Sequence, residues 1–189
     1  MNGFHDMMKM RRSIRDYEDR KVPLETVKDI IKDSCFAPSS ANGQPWRFII
    51  ILNKDLIKRL SDENKQNLLS DLEKNPGSPT KNYELALRNP AFNVFYNAPC
   101  LVYIIGRKDI RTLQIDCALA AGYFMFSAVA KGVGTCWIGL GGHIRNPELL
   151  RLLGIPDDYQ IVAPIILGYP KNIPTLPERN EPQILNIIS

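Results

Sequence analysis

The sequence predicts an α+β domain in which a mixed sheet is flanked by helices. Three observations predict it. The order of the elements intersperses short strand-like runs with segments of helical period. One run, Cys100 to Ile105, is apolar throughout, as in a strand covered on both faces. The stretch from Arg111 to Lys131 is apolar nearly all round, which a helix tolerates only when every side is covered. Since a chain of this size seldom encloses such a helix alone, part of it is expected to pack against a second subunit in a homodimer.

Taken in order, a short N-terminal helix includes Phe4, Met7 and Met8 and ends near Arg11. A second helix starts at Pro23, suited to a first turn, and carries Leu24, Val27, Ile30, Ile31 and Cys35 at helical spacing. After a loop from Ala37 to Trp46, with Trp46 as a core anchor, the run Arg47 to Leu52 reads as a strand. Asn53 caps a helix bearing Leu56, Ile57 and Leu60. The polar stretch from Ser61 to Thr80, with Pro76, Gly77 and Pro79, reads as the least ordered part and as a candidate lid. Beyond the long apolar helix, Gly134 to Ile138 is a third strand. Asn146 and Pro147 open a short helix closed by Gly154, and Tyr159 to Leu167 is the fourth strand. The tail from Tyr169, with Pro170, Pro174, Pro177 and Pro182, excludes regular helix.

With 189 residues, 44% of them hydrophobic, the chain is expected to be one domain, 1–189, with a substantial core. The formal charge of +4 is modest and the signs are interspersed, so a nucleic-acid partner is not expected. Neither a run near the roughly 20 apolar residues of a membrane span nor a signal-peptide layout is seen, so a cytoplasmic protein without membrane attachment is expected. Cys35, Cys100, Cys117 and Cys136 are far apart in apolar surroundings and no Cys-x-x-Cys occurs. They read as reduced core thiols rather than metal ligands or a disulfide framework.

The chemistry concentrates in two segments. Arg11-Arg12-Ser13-Ile14-Arg15 brings three guanidiniums and a hydroxyl together, a match for a phosphate because planar guanidinium forks hold oxyanions bidentately. Alone, such a motif is usually a basic surface turn. The loop Ala37-Pro38-Ser39-Ser40-Ala41-Asn42-Gly43-Gln44-Pro45-Trp46 offers hydroxyls and amides that donate and accept, as reading a heteroaromatic edge requires. In Gly132-Val133-Gly134 a dinucleotide fingerprint fails, because Trp137 stands where its third glycine belongs and the segment follows a helix instead of opening one.

In combination and in this order, these segments resemble the FMN-dependent nitroreductase family, as do Gly132 to Gly139 and Leu167-Gly168-Tyr169-Pro170. The resemblance spans essentially the whole chain. It implies a nitroreductase-like sheet, a homodimer with flavin at the interface, and a C-terminal tail exchanged onto the partner. By resemblance, Arg11, Arg12, Ser13 and Arg15 meet the phosphate, ribityl chain and pyrimidine edge of FMN. Pro38, Ser39, Ser40, Asn42 and Gln44 reach the flavin across the interface, and Trp137, Ile138 and Gly139 pass the ring with a backbone N–H near Gly139 facing N5. Arg179, or failing it Lys171, supplies the basic residue that meets the phosphate.

The implied activity passes hydride from NAD(P)H through flavin N5 to a flat, electron-poor acceptor, a nitroaromatic or a quinone, with no side-chain acid, base or nucleophile. Phe92, Phe95 and Phe124 are candidates to line the open face, although core is the commoner role for such residues. An FMN-binding carrier or sensor without turnover is one alternative. The other is a specialised relative, a dehalogenase or flavin-fragmenting enzyme, with its specialisation between Asp62 and Tyr96.

Overall fold

The computed structural model describes residues 3–188. Strands β1 (Arg47–Ile51), β2 (Cys100–Arg107), β3 (Gly134–Trp137) and β4 (Tyr159–Gly168) form one sheet in the order β1-β2-β4-β3, and every ladder is antiparallel. A parallel element enters only at the rim, where Ser13 bridges Thr135 of β3. The helices are α1 (Phe4–Met10), α2 (Leu24–Ser34), α3 (Lys54–Lys74), α4 (Glu84–Arg88), α5 (Leu113–Ala130) and α6 (Pro147–Leu152).

β2 shows why the domain has three layers. Cys100, Val102 and Ile104 face a core shared with Val27 and Ile30 of α2 and with Leu113, Cys117, Ala120 and Phe124 of α5. Leu101, Tyr103 and Ile105 face a second core with Ile57, Leu60 and Leu68 of α3, Leu87 of α4 and Leu149 of α6. Alternation along the strand thus feeds two cores, each fully buried Leu, Ile or Phe contributing about 1.5–3 kcal/mol. The strand is apolar throughout because helices cover both faces, although its neighbours are antiparallel. Trp46 is buried in the first core, as expected of an anchor.

The expectation for Ser61 to Thr80 is overturned. Asn53 caps α3 as expected, its Oδ1 accepting from Leu56 N at 2.9 Å, but the helix continues to Lys74. Its buried stripe of Ile57, Leu60, Leu68 and Leu72 is completed by three buried polar residues, Ser61, Asn64 and Lys65. Each is satisfied there: Ser61 Oγ accepts from Val94 N, Asn64 Oδ1 accepts from His143 N, and Lys65 Nζ donates to Asn89 O and Phe92 O. Regular structure soon resumes with the 3-10 turn Pro79–Tyr83, which leads into α4.

α5 is not covered all round by this chain. Its inner face is packed into the core, while Ile115, Leu119 and Tyr123, four residues apart, remain 65%, 40% and 44% exposed. The helix is long and apolar enough by length and composition to cross a membrane, yet Cys117, Ala120, Ala121 and Phe124 are completely buried against the sheet and α2. Asp33 of α2 binds its end, accepting from Ser127 Oγ at 2.6 Å and Lys131 Nζ at 2.7 Å. Asn146 Oδ1 caps α6 by accepting from Glu148 N and Leu149 N, and Gly154 ends that turn at φ +67°. The tail beyond Pro170 has no helix or strand among the described residues, and Ile184, Leu185, Ile187 and Ile188 are exposed.

Candidate functional site

The arginine segment is extended and lies along the free edge of β3. Ile14 N donates to Thr135 O at 2.9 Å, Glu18 N donates to Tyr169 O at 2.9 Å, and Lys171 N donates to Asp16 O at 3.1 Å. Two glycines permit this approach. A Cβ on Gly134 would stand 2.7 Å from Ile14 Cγ1, and one on Gly168 would stand 2.6 Å from Tyr17 Cδ1. Because successive side chains of an extended segment face opposite ways, burying Ile14 turns Ser13 and Arg15 outward together.

Both outward residues lie close to the Cys136 thiol, which donates to Trp137 O at 3.5 Å, and Arg11 adds its charge nearby. Burial pushes that thiol up, while Arg15, Ser13 and Arg11 pull the other way. Arg11 and Arg15 make no ion pair among the described residues. Arg12 differs: its Nη1 donates to Arg11 O at 2.6 Å and its Nε to Thr175 O at 3.3 Å, which ties the tail to the segment.

The glycine-rich stretch reaches the same place from α5. Gly132, at φ +70°, ends the helix, with Val133 N donating to Ala128 O, and β3 then runs beside Ser13. Trp137 is half-buried and Ile138 is 5% exposed, so Ile138 is core and offers a ligand only its main chain. Gly139 is exposed, nothing lies within 4 Å of the Cβ position, and its N–H has no protein acceptor among the described residues.

The Pro38 to Gln44 loop is a strained structure. Ala41, Asn42 and Gln44 all have positive φ, at 48°, 54° and 44°, which costs roughly 1–2 kcal/mol for a residue with a side chain. Ser39 Oγ accepts from Gln44 N at 3.0 Å and Asn42 Oδ1 accepts from Gln44 Nε2 at 3.0 Å, holding the turn. Ser40 N donates to Asp116 Oδ1 at 3.1 Å, which anchors the loop to the first turn of α5. Strain maintained by such bonding marks a loop shaped for something other than stability.

The loop and the arginine segment do not meet within one chain. The loop is fixed at Asp116, whereas the arginine segment and Gly134 lie beyond Ala128, about 18 Å further along a helix rising 1.5 Å per residue. Lys171 is tied to the arginine segment through its backbone, and Arg179 is in the exposed tail. Phe95 and Phe124 are wholly buried core residues, so of the three phenylalanines only half-buried Phe92 remains near the surface.

Sequence reasoning missed Tyr96. Its ring lies 5.6 Å from Arg15 Cζ and edge-on to Phe92 at 5.8 Å. Only the neighbouring Asn97, a residue that tolerates a left-handed backbone, hints at the turn that puts it there. Cys136 was legible as a core thiol but not as the neighbour of Ser13 and Arg15.

The chain is similar to known proteins over nearly its full length. An Archaeoglobus fulgidus protein provisionally named NADH dehydrogenase/NAD(P)H nitroreductase is 29% identical over 167 residues, covering 88% of this chain and 84% of the relative. The iodotyrosine deiodinase of Thermotoga neapolitana is 25% identical over 187 residues, covering 96% of each. The crystal structure of a Bacteroides fragilis nitroreductase with bound FMN superposes with a TM-score of 0.82 at 24% identity over all of both chains, a likeness of fold. The pattern of the Nitroreductase family matches residues 8–169, which takes in the arginine segment, the Pro38 to Gln44 loop and the glycine-rich stretch, and the chain belongs to that family, whose members are oxidoreductases.

Proposed function

We propose that this chain is an FMN-dependent oxidoreductase, a cytoplasmic homodimer that uses NAD(P)H to reduce a flat, electron-poor acceptor such as a nitroaromatic or a quinone. The observation that carries the reading is the face made by Arg11, Ser13 and Arg15, two guanidiniums without ion pairs among the described residues and a hydroxyl, beside the strand that leads to the Gly139 N–H, which has no protein acceptor among those residues. This donor set fits a phosphorylated flavin. When bound, FMN would supply the redox chemistry, taking up hydride from NAD(P)H and giving it to the acceptor.

The residues bind, orient and polarise. Arg11 and Arg179 would meet the phosphate, with Lys171 the alternative, and Ser13 would reach the ribityl chain. Arg15 sets a positive charge at the pyrimidine edge, where it favours the anionic reduced ring. Gly139 N–H, without a protein acceptor among the described residues, would be offered to the ring near N5, and Trp137 would flank it. Arg12 holds the segment to the tail through Thr175 O.

The second half of the site comes from a second copy. The Pro38 to Gln44 loop is about 18 Å from the arginine segment along α5, so one chain does not close on the ligand. The exposed stripe of Ile115, Leu119 and Tyr123 and the exposed apolar tail supply the surfaces such a pair would bury, the tail exchanging onto the partner.

Anaerobic titration of the purified, FMN-loaded protein with NADH or NADPH tests the reading: bleaching of the flavin spectrum is expected. A protein that refuses FMN sinks it, and a yellow protein that does not bleach points to a carrier or sensor. The similarity to an iodotyrosine deiodinase across nearly the whole chain favours a second reading, reductive dehalogenation of a halogenated phenol. Reoxidation of the bleached protein by a quinone but not by an iodophenol supports the first reading, and the reverse supports the second.

A further inference from the structure

We propose that Tyr96 is a positioning residue whose ring holds the Arg15 guanidinium at the pyrimidine edge of the flavin and so sets the balance between oxidised and reduced cofactor. The proposal rests on the FMN reading above. Arg15 Cζ stands 5.6 Å from the centroid of the Tyr96 ring, within the range where a cation is drawn to the negative face of an aromatic ring. Arg15 is exposed and makes no ion pair among the described residues, so apart from the neutral Cys136 thiol close by, the ring is the group that meets its head.

The backbone is distorted to put the ring there. Tyr96 and Asn97 both have φ +53°, a left-handed conformation unfavourable for any residue with a Cβ and rare for an aromatic one. Asn93 holds the turn, its Oδ1 accepting from Phe95 N at 2.8 Å and its Nδ2 donating to Asn97 Oδ1 at 3.0 Å, while Tyr96 N donates to Asn93 O at 2.9 Å. Phe92 meets the ring edge-on, at 89° between planes. The loop is bolted to α3, where the buried Ser61 Oγ accepts from Val94 N at 2.9 Å and the buried Lys65 Nζ donates to Asn89 O at 2.7 Å and Phe92 O at 3.0 Å. Two consecutive strained residues fixed by this many bonds are a feature the surroundings over-determine, as at sites where geometry is used.

A positive charge held at the N1 and O2 edge stabilises the anionic reduced ring more than the neutral oxidised one. A guanidinium free to swing into solvent does so less, and the midpoint potential falls. The decisive comparison is the FMN midpoint potential, with the affinity for oxidised FMN and the melting temperature of the FMN-free protein, for wild type, Tyr96→Phe, Tyr96→Gly and Arg15→Ala. Glycine keeps the left-handed backbone without strain and removes only the ring.

The expected result is that Tyr96→Phe matches wild type. Tyr96→Gly should shift the equilibrium toward oxidised cofactor about tenfold, a fall of about 30 mV for two electrons, without lowering the melting temperature. A potential unchanged in Tyr96→Gly but lowered in Arg15→Ala would overturn the role of Tyr96 and leave Arg15 at the flavin. A fall in Tyr96→Phe equal to that in Tyr96→Gly would assign the effect to the hydroxyl and overturn the ring contact. If Arg15→Ala changes neither potential nor affinity, the underlying placement of FMN on the arginine segment fails first.

Discussion

At Gly134 a side chain as small as a methyl decides whether the arginine segment can lie on β3. The added Cβ would meet Ile14 at three atoms, at 2.7, 2.9 and 3.1 Å, and two of these, Cβ and Cγ1, are close to the backbone of a buried residue, so the segment itself must shift. Gly134→Ala is therefore expected to cost about 1–3 kcal/mol by urea unfolding and to weaken FMN binding, because Ser13 and Arg15 move with Ile14. An unaltered FMN affinity in that variant would separate the segment from the ligand.

Cys100 makes a second prediction. Burial pushes its thiol from 9.0 up to about 12, so between those pH values the unfolded chain loses a proton that the folded chain keeps. Stability from this group is complete below pH 9 and falls as pH rises, by about 1.4 kcal/mol per pH unit. Cys100→Ala should show a correspondingly flatter decline across that window. The apolar surroundings of Cys100 were legible in the sequence, as was Trp46 in the core. The left-handed turns at Ala41, Gln44 and Tyr96 were not, because nothing in those residue types asks for them and tertiary bonding imposes them.

Among the elements, α3 is the instructive one. Its N-terminus was readable from Asn53, but its length was not, because the central turn of its buried stripe is Ser61, Asn64 and Lys65. Periodicity counts only apolar residues, and these three are buried by hydrogen bonds to partners 24 to 79 positions away in number, or in the case of the Asn64 amide to Leu60 O. Hence the stretch resembled a loop. Lys65→Met tests how much this bonding matters. It keeps the stem that packs in the helix and leaves Asn89 O and Phe92 O without their donor, so stability should fall by about 2 kcal/mol in urea with an unchanged m-value. The strands were better indicated, since β2 is apolar on both faces and β4 nearly so, although their antiparallel order β1-β2-β4-β3 depends on connections that patterning does not encode.

At the scale of the whole molecule, the sequence carried the two halves of the site as motifs, and the fold places them at opposite ends of α5. What sequence could say of α5 was that no face of it is polar. The fold turns that into a specific stripe of Ile115, Leu119 and Tyr123 left in solvent. A second copy covering the stripe would bring its Pro38 to Gln44 loop toward the first copy's arginine segment, so assembly and cofactor binding should be lost together. Leu119→Arg places a charge in the middle of the stripe, where burial without a partner is unfavourable by several kcal/mol, and it touches neither motif. Sedimentation should show a monomer with native far-UV circular dichroism, and FMN titration should show an affinity weakened at least tenfold at the same protein concentration. A folded monomer that still binds FMN with wild-type affinity would mean that one chain holds the whole site, and the strained loop would then need another purpose.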